Sequence, residues 1–138
     1  MLKIALVADP GEDVVGILTR LGELLGEFSV VILLPLSSSP ALPQLEIFKE
    51  DEERGRFLEG MALGLVAGLK RRVEDRWGEV EIEGGGEGTE WLFERCVEKD
   101  IDLLVVKPPN SPSTLIDLDP QEVLKHSHQH GLAVLFLP

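Results

Sequence analysis

Four short apolar runs, Leu2 to Ala8, Phe28 to Leu36, Ile101 to Val106 and Leu132 to Leu137, are separated by longer segments whose apolar residues recur every three or four positions. Each run is apolar on both faces, the pattern of a strand covered from both sides. Glu79 to Glu83 alternates polar and apolar, so it reads as a fifth strand with one wet face at a sheet edge. Between the strands, Asp13 is placed to cap a helix striped with Val14, Ile17, Leu18, Leu21, Leu24 and Leu25 that stops near Gly26. Asp119-Pro120-Gln121-Glu122 is a capping Asp with proline at the first helical position, and Gly131 closes that helix. The βαβαβαβαβ order calls for one α/β domain over residues 1–138, an open doubly wound five-stranded parallel sheet with helices on both faces. Ligands of such sheets bind beyond the carboxyl ends of the strands, where strand order reverses.

The longest helix is expected from Phe48 to Trp77, with Phe57, Met61, Leu65, Leu69, Val73 and Trp77 as its inner row and Leu58, Ala62 and Val66 beside it. Gly60, Gly64 and Gly68 form a second row at the same spacing. Each glycine costs about 0.5 to 1 kcal/mol against alanine in a helix interior, so the row is expected to mark close approach to the sheet or a neighbouring helix. Gly84 to Gly88 reads as a flexible turn, because Thr89 stands where the third glycine of a dinucleotide fingerprint would be. Thr89 is then the expected cap of a helix from Glu90 to Lys99 with Trp91, Leu92, Cys96 and Val97 inward.

Charge narrows the partners. With 25 acidic and 13 basic residues the formal net charge is −12 at pH 7, which disfavours nucleic acid, whose affinity for proteins comes mainly from Lys and Arg neutralising phosphates. It equally disfavours anionic membrane surfaces, and Met61 to Leu69 is too short to span a bilayer. Cys96 has no second cysteine to pair with, no secretory signal is visible, and a cytoplasmic location is expected. Few Asn, Gln and Cys with abundant Glu is a composition associated with thermophiles.

The strand ending Val7-Ala8-Asp9-Pro10-Gly11, the long second helix, the Ile101-Asp102-Leu103-Leu104-Val105-Val106 strand and the closing Leu132-Ala133-Val134-Leu135-Phe136-Leu137 strand together resemble the universal stress protein family over nearly the whole chain. The resemblance implies an adenine nucleotide alpha hydrolase-like sheet of order 3-2-1-4-5, homodimers built through the last strand and, in one branch, an ATP site. In that branch a Gly-x2-Gly-x9-Gly-(Ser/Thr) loop follows the fourth strand. Here its places carry Lys107, Asn110, Pro120 and Gln121, none of which matches. The loop keeps the family's spacing without the glycines that let backbone N–H groups approach phosphates.

The expectation is therefore a divergent, non-catalytic relative without a cofactor, acting as a homodimeric stress-response or regulatory protein through Leu132 to Leu137, with a protein partner the sequence does not name. The alternative is an ATP, AMP or small-anion binder using Ala8, Asp9, Lys107 and Ser113, with Ser111 and Thr114 near them, in the Lys107 to Gln121 loop. Asp9 falls on the aspartate that contacts the nucleoside in ATP-binding members; its plainer role is to hold the entry of the first helix. His126 and His130 share a helix face while His128 points away, which makes the first two the metal candidates. No carboxylate is counted beside them at a ligand spacing, and histidines before Gly131 also suit a helix carboxyl end. No metal and no catalytic set is expected: serine-hydrolase and zinc-protease motifs are absent, and Cys96 reads as a buried thiol.

Overall fold

The computed structural model describes residues 1–36, 50–108, 116 and 118–138. Five strands and four helices alternate among them: β1 (Leu2–Val7), α1 (Val14–Leu25), β2 (Phe28–Leu36), α2 (Asp51–Arg76), β3 (Glu81–Glu87), α3 (Gly88–Glu98), β4 (Leu103–Val106), α4 (Pro120–His130) and β5 (Ala133–Phe136). The strands form one sheet of order β3-β2-β1-β4-β5, and every neighbouring pair is parallel. The expected open parallel sheet of order 3-2-1-4-5 is thus the observed one. Strand order steps one way through β1, β2 and β3 and the other way through β4 and β5. Right-handed crossovers therefore put α1 and α2 on one face and α3 and α4 on the other; α1 packs with α2, and α3 with α4.

The core sits on the central strands. Ile4, Ala5, Leu6 and Val7 of β1, Ile32, Leu33 and Leu34 of β2, and Leu104, Val105 and Val106 of β4 are buried, sealed by Leu18 and Leu21 from α1, Leu69 and Val73 from α2, and Leu92 and Phe93 from α3. β1 is locked to β4 by a reciprocal pair: the Lys3 amide donates to Asp102 Oδ2 at 2.8 Å, and the Asp102 amide donates to the Lys3 carbonyl at 2.8 Å. Pro35 lacks an N–H for the ladder, and the β2–β3 register shifts between Leu34 and Leu36 around it. At the β3 edge, Lys99 Nζ bridges Glu81 (2.6 Å) and Glu83 (3.2 Å), and Arg95 pairs with Glu83 (3.2 Å), charges of the kind that blunt an exposed edge.

Three local expectations need correction. The glycine run is strand, not turn: β3 continues through Glu87 and α3 begins at Gly88, so Thr89 lies inside the helix. The physical reason is close approach. A Cβ on Gly86 would overlap the Trp91 ring, and one on Gly84 would meet Val66 Cγ2 of α2 at 3.3 Å. Conversely, among the described residues the row Gly60, Gly64 and Gly68 has no close neighbour; a Cβ at any of them meets no atom of another described element within 4 Å. A row spaced by four residues drifts about 40° per step around a helix of 3.6 residues per turn. The core side of α2 is therefore taken by Ala62, Leu69 and Val73 with Val66, while Phe57, Met61 and Leu65 stay half-exposed and the glycines face water beside Leu63, which is 69% exposed. On α3, Val97 is 57% exposed and Phe93 takes the inward position. The expected start of α2 at Phe48 lies outside the described residues.

Candidate functional site

Strand order reverses between β1 and β4, so the crevice of this fold lies between the segments that leave those two strands. Their ends are held side by side, the Lys107 amide donating to the Val7 carbonyl at 2.9 Å. Ala8 is fully buried in the core. Asp9 folds back on its own loop: Oδ1 accepts from the Gly11 amide at 2.8 Å, and the Asp9 carbonyl accepts from Glu12 at 2.9 Å. Beyond it Asp13 caps α1, its Oδ1 accepting from Gly16 at 3.1 Å. Arg72 of α2 donates from Nη2 to the Pro10 carbonyl at 2.9 Å, fastening this loop to the long helix. No sequence pattern announces that tie.

Across the crevice, Lys107 reaches sideways. Its Nζ donates to the main-chain oxygen of Pro138 at 2.8 Å, and the Leu137 amide donates to the Val106 carbonyl at 2.8 Å, lacing the end of β4 to the segment after β5. Ser113, with Ser111 and Thr114, lies outside the described residues. Ile116 returns to the core and is 4% exposed.

The amino end of α4 is where a phosphate would meet free amides and the positive end of the helix dipole. Here Asp119 is the N-cap, its Oδ1 accepting from the Gln121 amide at 3.0 Å; Pro120 has no N–H to give, and Glu122 adds a second carboxylate in the first turn. The two described glycine-motif places at this end, Pro120 and Gln121, thus offer one missing donor and one donor turned to a carboxylate. Neither of these two places offers a free amide to a phosphate.

At the other end of α4, His126 and His130 do share a face. Both rings lie against Phe93 of α3, with centroids at 5.4 and 5.6 Å, and lie 6.1 Å from each other at 8° between planes. The two rings are nearly parallel and share one aromatic neighbour. Glu122 stands one turn before His126, its Oε2 3.9 Å from Nε2, which corrects the expectation that no carboxylate lies at such a spacing. Among the described residues no group of three His, Cys, Asp or Glu side chains is arranged to hold a metal. Cys96 is buried, and burial pushes its thiol up to about 12, so it is a protonated core residue at neutral pH.

No family model matches the chain, and no curated protein matches it. Among solved structures the chain is similar to a protein from the universal stress protein family from Burkholderia pseudomallei, at 17% identity over 99% of this chain and 95% of that chain, with a TM-score of 0.48. No helix among the described residues is long and apolar enough to cross a membrane.

Proposed function

We propose that the chain is a universal stress protein-like, non-catalytic domain that does not bind ATP and acts through association, as a homodimeric stress-response or regulatory protein. The observation that carries this reading is the amino end of α4, where Asp119 and Pro120 occupy the position at which the ATP-binding branch holds phosphate. Asp9 turned onto Gly11 and Lys107 turned onto Pro138 support it from the two sides of the crevice. Association is supported by β5, a sheet edge with Ala133 and Leu135 exposed. An unpaired edge of this kind is relieved by pairing with its twin across a two-fold axis.

A thermal-shift series with ATP, AMP and phosphate, with and without magnesium, tests the reading. A ligand at a hundred times its dissociation constant adds about 2.7 kcal/mol. Silence across the series is the expected result, and a saturable rise with any of the three establishes the small-anion alternative at Asp9 and Lys107 in its place.

A further inference from the structure

α4 carries all three histidines of the chain, and Glu122, His126 and His130 follow one another at successive turns. Residues four apart on a helix stand about 5 to 6 Å apart at Cβ, so each of the three is the next one's neighbour on one face. Two imidazoles at this spacing are the pair that a helix offers to zinc in His-Glu-x-x-His proteins. His128 points away from that face. The structure adds what spacing alone does not. Glu122 Oε2 stands 3.9 Å from His126 Nε2, too far for a hydrogen bond. Two ligand atoms of a tetrahedral zinc stand roughly 3.3 Å apart, so a small shift of the half-exposed glutamate closes the pair on one ion. The other nitrogen of His126, Nδ1, is buried with no hydrogen-bond partner among the described residues. With the ring proton there, the Nε2 lone pair and the carboxylate face each other with no hydrogen between them.

Phe93 holds both imidazoles on this side of α4, and His130 is exposed, free to turn from the aromatic ring toward His126. Lys125, three residues after Glu122, forms no ion pair with it among the described residues, so no cation of the helix neutralises the carboxylate. Two donor atoms are thus set and a third lies one turn away. We propose that Glu122, His126 and His130 bind a divalent transition metal of the zinc type. Glu122 Oε2 and His126 Nε2 form the preset pair, His130 turns off Phe93 to become the third ligand, and water completes the shell. The combination of imidazole and carboxylate selects zinc over magnesium, which favours an octahedron of oxygens. The site stands apart from the crevice and does not depend on the function proposed above.

The test titrates zinc chloride into the untagged chain at pH 7.5, with magnesium chloride as the control, and follows the ring C–H resonances of the three histidines. A saturable response at one ion per chain, with His126 and His130 moving, His128 unmoved and magnesium silent, is the expected result. Glu122→Gln and His130→Gln change exposed side chains, so both should fold as wild type does and each should lose roughly tenfold or more in zinc affinity. His128→Gln should bind as wild type. Binding should vanish at pH 5, because an imidazole takes a metal only when unprotonated. No saturable response up to millimolar zinc, His128 moving together with the other two, or wild-type affinity in either Glu122→Gln or His130→Gln overturns the proposal.

Discussion

Asp119 Oδ1 accepts the Gln121 amide at 3.0 Å, so the amino end of α4 is closed by a carboxylate from its own chain. The bond is structural, and its loss should read as stability. Asp119→Ala should cost about 1 kcal/mol in chemical denaturation, while Asp119→Asn, which keeps the acceptor, should stay within a few tenths of wild type. Equal losses in both would mean that the cap is not what holds this end.

The bare row on α2 makes an opposite prediction. A methyl group at Gly60, Gly64 or Gly68 meets no atom of another element among the described residues, so each change to alanine should stabilise by about 0.5 to 1 kcal/mol through helix propensity alone. The triple variant should melt several degrees higher in calorimetry. A fall would show that the row is buried in the working assembly.

Gly86→Ala should behave in the contrary way. Its Cβ would enter the Trp91 ring, so the indole must leave its place, with a loss of about 1 to 3 kcal/mol. Near-ultraviolet circular dichroism should report the displaced tryptophan, and an unchanged aromatic signal would refute the packing.

Alkaline stability should depend on Cys96. Its thiol is raised from an ordinary value near 9 to about 12 by burial, so above pH 9 the folded chain keeps a proton that the unfolded chain releases. Stability is then full below pH 9 and falls as pH rises toward 12, by about 1 kcal/mol between pH 9 and 10. Lys99, raised by its hydrogen bond to Glu81 and then by Glu83, adds a loss of the same sign at higher pH, as its ammonium deprotonates. Urea unfolding at pH 8, 9 and 10 should show a shallower alkaline decline in Cys96→Ala than in wild type, and parallel declines would place the titration elsewhere.

The dimer reading predicts sedimentation at twice the chain mass of 15.2 kDa and a monomer for Leu135→Glu, a change at a residue already 36% exposed. A monomeric wild type at high micromolar concentration would sink the association reading.

The order of elements was legible because strands buried on both faces leave unbroken apolar runs, and because Asp13, Gly26, Asp119, Pro120 and Gly131 each carry out the backbone task their residue types favour. The glycines were harder. A run such as Gly84-Gly85-Gly86 is the same string in a turn and in a strand crossed by another side chain, and only the position of Trp91 and Val66 decides. The row on α2 has the spacing of an inner face, yet spacing does not say which side of a helix meets the sheet. At the crevice, the departure from the glycine motif was visible in the string of residues. The partners of Asp9, Arg72 and Lys107 were not, since each bond depends on where another element ends in space.

The reciprocal pair between Lys3 and Asp102 joins residues 99 positions apart, and it sits where the central strand receives its second neighbour. β1, β2 and β3 meet through successive crossovers, whereas β4 can dock on β1 only after most of the chain has been gathered. Loop-closure entropy rises with the length of chain enclosed, so this closure carries the largest entropic cost among the strand pairings of the sheet. The time the molecule takes to reach its native state should therefore be set at Lys3 and Asp102, with the β1 to β3 half already assembled and its free edge waiting.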